Sequence, residues 1–321
     1  MDNLNEIILT LSLLKGYGKA MVSAVMEELL KSSLRYVGPS DLYDFLVELR
    51  DRKVLKGKAA EDSFPDMEAL RETYCRAMRL LEKSETLGIG MVSQYASHFP
   101  VNLLGTVNED GKKDVPLFLF YRGDLSITKR KAVAIIGTRE PTTEGVSAGE
   151  YLGNTFASEG FNIVSGLALG CDSAGHRGAL SCGGPTTAFL AHGLDTIYPQ
   201  ENRGLAEDIV SGGGLLMTEY PIGVGVSRYN LVSRDRLQAG LADAVLVIQT
   251  GVHGGTMHAV RSAHKAGKPI YALQYNKHIS SDMIGGNESL ISKGVAAPLR
   301  ATEVKDVIAG LLRSASSSEV Q

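Results

Sequence analysis

The chain has 321 residues, 44% of them hydrophobic and 21% charged, with a formal net charge of −3. That length suits one large domain with a smaller one attached, and no apolar run approaches the ~18 residues of a membrane span. From Lys131 to Arg300 there are 13 Lys and Arg against 14 Asp and Glu, so bulk positive charge is excluded as a basis for nucleic-acid binding, and any such binding requires a local patch.

Residues 1–90 read as a separate helical domain. Leu4, Ile7, Ile8, Leu11 and Leu14 recur at helical spacing, Gly16-Tyr17-Gly18 interrupts them, and Val22, Val25, Met26, Leu29 and Leu30 resume the pattern. A helix, a turn of the type h-x-G-h-G and a second helix resemble the helix-hairpin-helix element, with Lys15 and Lys19 flanking the turn; an ordinary αα-hairpin with a glycine corner fits the same residues. Further helices are expected from Pro39 to about Leu55 and from Phe64 to about Leu87. Gly88 to Pro100 reads as a connector, and Pro116 to Gly123 as a strand at a sheet edge.

The densest pattern follows, from Lys131 to Asp172. Ala132 to Ile136 is too short for a buried helix and suits a buried strand; Gly137-Thr138-Arg139 forms a turn, and a helix runs from about Thr143 to Glu159. Phe161 to Val164 is a second strand, and Ser165-Gly166-Leu167-Ala168 a second small-residue turn. Strand, glycine turn and helix repeated in this way predict half of a doubly wound, mostly parallel α/β sheet, whose ligands sit beyond the carboxyl ends of the strands. Glycine admits a close phosphate, helix N-termini attract anions, and the guanidinium of Arg139 matches phosphate geometry. Gly137 and Gly166 are equally consistent with tight βα turns and nothing more. G-x-G-x-x-G is absent and no acidic residue closes the strand near Val164, so no nicotinamide or flavin cofactor is expected.

The alternation continues through strands at Thr186–Leu190, Gly214–Tyr220, Ala244–Gln249 and Pro269–Leu273. Between them lie helices near Arg203–Ser211, near Asn230–Leu241 and from the glycine turn Gly254-Gly255-Thr256 to Ala266. Gly285-Gly286-Asn287 opens a further helix, Glu288 to Lys293, and residues 301–321 hold an amphipathic helix and a polar tail from Ser314. Asp172 suits a helix N-cap, and His176 a supporting hydrogen bond. His253, His258 and His264 are spaced by five and six, which puts them on different helix faces, and Cys75, Cys171 and Cys182 have no C-x-x-C spacing, so no metal site is expected. Reduced cysteines and the absence of a charged-then-apolar leader suggest the cytoplasm.

With these turns in order, the chain resembles the DprA (Smf) family of bacterial DNA-processing proteins from about Phe99 to Val295. The resemblance rests on Leu119-Phe120-Tyr121-Arg122-Gly123-Asp124, Ala134-Ile135-Ile136-Gly137-Thr138-Arg139, His176-Arg177-Gly178-Ala179-Leu180, Gly193 to Pro199, Arg234-Asp235-Arg236 and Gly286-Asn287. It implies an extended Rossmann-like domain over residues 91–300 that binds single-stranded DNA without catalysis, dimerises, and loads the strand-exchange protein RecA. A specialised member partnering a toxin or defence protein fits the same resemblance.

The implied phosphate contacts are Arg139, Arg234 and Arg236, with Gly137, Thr138, Ser165, Gly166, Gly254, Gly255 and Thr256 offering backbone or hydroxyl approach, and Asp172, His176 and Asn202 behind them. Tyr198 and Tyr229 would stack on bases, at ~1–3 kcal/mol each, or pack under loops. The apolar segment Val245-Leu246-Val247 with its following helix lies near the place where the family dimerises. This chain departs from the family at Asp235 (usually Asn), Leu169 (usually basic), Gln249 (usually acidic) and Gln274-Tyr275 (usually Pro-Gly). Two alternatives stay open: a nucleotide-sensing module that regulates a partner, and a LOG-type nucleoside-monophosphate phosphoribohydrolase. The second is disfavoured because Ala259 stands where that family's glutamate would be.

Overall fold

The computed structural model describes residues 3–34, 38–57, 63–275 and 281–316. Two compact units emerge, one of residues 1–99 with 117–120, the other of residues 100–116 with 121–321.

The first unit is helical. Helices α1 (Leu4–Leu13) and α2 (Lys19–Lys31) flank a turn in which Gly16 takes φ 84°, a left-handed conformation that a side chain would strain. Helices α3 (Pro39–Asp51) and α4 (Met67–Thr86) complete the set, the latter capped by Asp66, whose carboxylate accepts from Ala69 N at 2.8 Å. Ile7, Leu11, Val25, Leu46 and Leu70 are fully buried, as the helical spacing requires. Strand β1 (Gly90–Ser93) forms inside the expected connector, and β2 (Phe118–Gly123) starts two residues later than the sequence suggests.

The second unit is the doubly wound α/β layer. In chain order its elements are β3 (Ala132–Ile136), α5 (Thr143–Ser158), β4 (Asn162–Ser165), α6 (Cys171–Ser181) and β5 (Thr186–Phe189). Then come α7 (Arg203–Ser211), β6 (Leu215–Thr218), α8 (Arg228–Leu241), β7 (Ala244–Val247), α9 (Met257–Lys265) and β8 (Ile270–Leu273), followed by α10 (Ser281–Ser292), β9 (Ala297–Leu299) and α11 (Val304–Ser316). Seven strands lie in the order β6-β5-β4-β3-β7-β8-β9, and every pairing is parallel. Central β3 has Ala134 opposite Val164 on one side and Val245 on the other. All five of its residues are buried, because helices cover both faces of a parallel sheet.

Several boundaries move for physical reasons. α10 does not begin at Gly285 but runs through both glycines, because Gly286 packs where a Cβ would lie 2.5 Å from Gly251 O. Asn287 is therefore a mid-helix residue; its amide donates to Ile248 O (2.9 Å) and Leu273 O (3.0 Å) and its oxygen accepts from Thr250 N (2.9 Å). α11 is part of the core rather than an appendage, with Val304, Ile308 and Leu311 buried among strand residues. The polar tail expected from Ser314 begins later, since α11 runs to Ser316, and its remainder, residues 317–321, lies outside the described residues. Val245, Leu246 and Val247 are at most 1% exposed inside the sheet, so this segment offers no surface to a second chain. No described helix is long and apolar enough to cross a membrane.

α5 and α6 approach so closely that a Cβ on Gly153 would meet the carbonyl of Gly175. Gly153→Ala should therefore cost on the order of 1–3 kcal/mol despite alanine's better helix propensity. Gly310→Ala, on α11 with open space around it, should gain roughly 0.5–1 kcal/mol. Urea midpoints moving in opposite directions would bear this out; equal shifts would mean that glycine does not set the α5–α6 spacing.

Candidate functional site

The strand order reverses between β3 and β7, since β4, β5 and β6 extend to one side and β8 and β9 to the other. Loops leaving β3 and β7 diverge at such a switch point and open a crevice. A cavity of about 530 Å³ lies there, bordered by Gly137 to Glu140 after β3, by Thr250, Gly251 and His253 to Thr256 after β7, and by one face of α8. That volume is in the usual range for a small-molecule or nucleotide site.

The turn after β3 is tightly fixed. A Cβ on Gly137 would lie 2.5 Å from Cys171 Sγ, so the turn can approach α6 only as glycine. Thr138 N donates to Gln249 O at 2.7 Å, and Thr138 O accepts from Cys171 N at 3.1 Å. The side chain of Gln249 joins β7 to the start of α5: its oxygen accepts from Thr142 N (2.8 Å) and its amide donates to Thr142 Oγ1 (3.2 Å). Arg139, by contrast, is exposed at the cavity mouth and makes no hydrogen bond or ion pair to any described residue.

The turn after β4 is closed to an outside anion. Asp172 accepts from Gly166 N (3.1 Å) and Ala168 N (3.3 Å), so the protein's own carboxylate occupies the amides that a phosphate would use. It is consequently not the helix cap; Gly170, at φ 80°, caps α6. Burial pushes the pKa of Asp172 up, against the pull of Arg234 and the two amides. Asn202 donates to Leu167 O (2.8 Å) and to Ser173 Oγ (2.9 Å), holding Leu167 at φ 56°. Ser165 is fully buried and donates to Ile135 O at 2.6 Å, out of reach of a ligand. His176 is also buried; its Nδ1 meets Thr186 Oγ1 at 2.7 Å, and because that hydroxyl donates onward to Ile163 O, Nδ1 carries the proton. Burial, with the Arg234 charge behind it, pushes the His176 pKa down to about 3, so the ring is neutral.

On α8, helical phase decides which residues reach the cavity. Arg228, Leu231, Asp235 and Gln238 follow at spacings of three, four and three along one face, and all four border it together with Arg234. Arg234 is only 5% exposed; its Nη1 donates to Gly166 O (2.6 Å) and Phe189 O, and its Nε to Asp235 Oδ1 (3.2 Å). Arg236 lies on another face and does not border the cavity. Its guanidinium makes two bonds to Glu219, at 2.7 and 2.8 Å, and one to the Asp114 carboxylate at 2.5 Å. Burial opposes its charge, but Glu219 and Asp114 outweigh that and hold its pKa above normal. Of the three arginines expected at phosphates, the structure thus brings Arg139 and Arg234 to the cavity, the second already committed to carbonyls, and leaves Arg236 in a buried ion pair.

Gly254, Gly255 and Thr256 border the cavity where α9 begins, which places the positive end of that helix beside it. Beyond the expected residues the wall includes Arg228, His253, His258 and Gln238. Arg228 is the first residue of α8, which starts two residues before the expected Asn230, and its spacing to Asp235 puts both on one face; His258 depends on a partner far away in sequence, Glu109, which meets it at 2.5 Å and Arg261 at 2.6 Å. Tyr198 and Tyr229 are 43% and 78% exposed, Tyr198 beside Arg139 and Leu169 in a small adjoining hollow. Exposed Arg139, Arg228 and His253 form the rim, and buried Asp172, Arg234 and Gln238, with half-buried Asp235, the floor.

The model of the DNA recombination-mediator protein A family matches residues 91–311, and the chain belongs to that family. Protein Smf of Escherichia coli is 34% identical over 175 residues, 54% of this chain and 45% of that protein. The chain thus spans about half the length of curated relatives that it matches. The X-ray structure of DNA processing protein A from Streptococcus pneumoniae has the same fold, with a TM-score of 0.72 at 24% identity over 94% of this chain and 96% of that one. DNA processing protein A from Helicobacter pylori, a structure described for its single-stranded DNA binding mode, gives a TM-score of 0.60 at 29% identity and covers 70% of this chain and 96% of that one.

Asp235 provides a test of the floor. Burial raises its pKa to about 6 against the opposing charge of Arg234, with Asp172 raising it further and His258 lowering it. A folded-state pKa above the unfolded one means that the native protein gains stability as pH falls through about 6 toward 4, where both states become protonated. Asp235→Asn should lack that gain. Denaturant midpoints of parent and variant are expected to converge or cross in the parent's favour between pH 7.5 and 4.5; a difference that does not change with pH would show that Asp235 is not desolvated.

Proposed function

We propose that the cavity mouth binds single-stranded DNA by its phosphates, and that the chain acts in DNA processing as a binding protein rather than an enzyme. The observation that carries this reading is the pair of exposed arginines, Arg139 and Arg228, which stand on the rim of the switch-point cavity without side-chain partners among the described residues. Fixed, fork-shaped cations next to a helix N-terminus suit phosphate oxygens, and exposed Tyr198 and Tyr229 suit stacking on unpaired bases. Family membership and the single-stranded DNA binding of the Helicobacter pylori relative support the same ligand. Residues behind the rim (Gly137, Thr138, Gly254, Gly255, Thr256) shape the approach, while Asp172, Asn202 and Arg234 hold the floor rigid.

Delivery of the bound strand to RecA, or to a toxin or defence protein, and self-association into a dimer complete the reading. A solution mass at micromolar concentration tests the dimer, and a monomer would remove it. The hydrolase alternative has no support at Ala259, which is 3% exposed and carries no carboxylate; release of free base from a nucleoside monophosphate would restore it. Mononucleotides competing as well as oligonucleotides would favour the sensing module instead.

Arg139→Ala should weaken single-stranded DNA binding roughly ten- to a hundredfold, the loss of a charge-assisted contact worth ~1.5–3 kcal/mol, and reduce the salt dependence by about one unit. Lysine at 139 should restore part of the affinity, since it keeps the charge and loses the fork. Arg236→Ala should behave differently, costing on the order of 3–5 kcal/mol of stability by stranding Glu219 and Asp114. Binding titrations paired with urea unfolding separate the two. An Arg139→Ala protein that binds as the parent does, with an unchanged salt slope, would remove the proposed contact.

A further inference from the structure

Tyr198 is an exposed aromatic residue on a loop whose backbone is fixed on both sides of it. It borders a hollow together with Arg139, Leu169, Pro199 and Leu231. The loop leaves β5 just after Phe189, whose carbonyl accepts from Arg234 on the cavity floor. Gly193 N donates to Val224 O at 2.9 Å, and the Asp195 carboxylate accepts from Gly223 N at 3.0 Å, so the loop after β6 braces the first half of the turn. Beyond the tyrosine, Asn202 N donates to Pro199 O at 3.1 Å.

His192 closes this bracket from the inside. It is 2% exposed and borders neither the cavity nor the hollow. Its Nε2 accepts from Tyr198 N at 3.2 Å, which leaves the ring proton on Nδ1, and Nδ1 donates to Gly193 O at 2.9 Å. One buried ring thus joins the first residue of the turn to the tyrosine at its end. Without the Nε2 acceptor the Tyr198 amide would lose its partner, and nothing else printed on the backbone before Tyr198 would hold the residue at this height.

We propose that His192 is a positioning residue for strand binding: it sets Tyr198 where a base can stack on the ring while a neighbouring phosphate meets Arg139. A ring already held in place binds more tightly than one that must be ordered when the base arrives, because that ordering subtracts from the affinity. Stacking uses the π-face that every base has, so the contribution of His192 should be independent of sequence and should vanish for a strand that carries phosphates and no bases. This inference rests on the proposed binding of single-stranded DNA, and assigns to it a residue that does not touch the strand.

The test measures the affinity of the full chain for a thymidine oligonucleotide and for an abasic strand of equal length by fluorescence anisotropy. The parent should prefer the thymidine strand by about five- to a hundredfold, and Tyr198→Leu, a change at an exposed position, should remove much of that preference. Two substitutions then divide the histidine's roles. His192→Gln keeps an acceptor at the place of Nε2 and should bind as the parent does. His192→Asn keeps only a donor at the place of Nδ1; it should weaken the thymidine complex about three- to tenfold and leave the abasic complex unchanged. In a Tyr198→Leu background, His192→Asn should cost nothing further. Equal weakening of both complexes by His192→Asn, or an additive loss in the double variant, would overturn the assignment. Equal affinity of the parent for the two strands, a comparison that requires no variant, would overturn it as well and leave DNA binding intact. No binding to either strand overturns the DNA reading itself.

Discussion

Arg234 brings a full positive charge to a position where 5% of its surface meets solvent, and much of the site is arranged around that charge. A guanidinium removed from water requires acceptors on nearly every N–H, and the carboxyl ends of two neighbouring strands supply them through the carbonyls of Gly166 and Phe189. Gly166 must lack a side chain, because a Cβ there would coincide with the guanidinium. The two carboxylates that neutralise the charge, Asp172 and Asp235, are bound in turn by the Gly166–Ala168 amides and by Gln238. One buried cation thereby couples β4, β5, α6 and α8.

Such coupling requires a fixed α8. Ser227 caps its first turn, accepting from Asn230 N at 3.0 Å, and Lys268 reaches from the loop before β8 to the last carbonyls, Gly240 O at 3.0 Å and Ala242 O at 2.5 Å. Between those ends Arg236 bonds to Glu219 and Asp114 on the side away from the cavity. The helix presents a rigid face, and the residues on it are preorganised rather than gathered by a ligand. Gln249 does the same for the opposite wall by tying the end of β7 to the first turn of α5.

Two of the positions at which the sequence differs from the pattern that the resemblance implies, Asp235 and Gln249, fall within that framework. Asp235 and Gln249 both complete internal hydrogen-bond networks, so each is compensated where it stands. Leu169 remains 38% exposed next to Tyr198 and Arg139, exchanging a charge for apolar surface at the cavity edge. The rim consequently depends on fewer cations, and the floor is more acidic, than a uniformly basic groove would be.

Elements with a strong period were legible in the residues alone. The all-apolar run Ala132–Ile136, the helical spacing from Leu4 to Leu30, and the glycine turns after β3 and β7 specified a doubly wound sheet and a helical unit, because burial on both faces or on one stripe leaves a local signature. Short elements such as β1 and the three-residue β9 carried no such signature and form only through their neighbours. The site divided along the same line. Gly137 and Arg139 followed from strand-turn chemistry, which is local. The burial of Arg234, the diversion of Arg236 to residues 17 and 122 positions away, and the filling of the second turn by Asp172 were decided by tertiary structure. Whether an arginine meets solvent or a distant carboxylate depends on contacts that bring together residues far apart in the chain, and no local pattern encodes them.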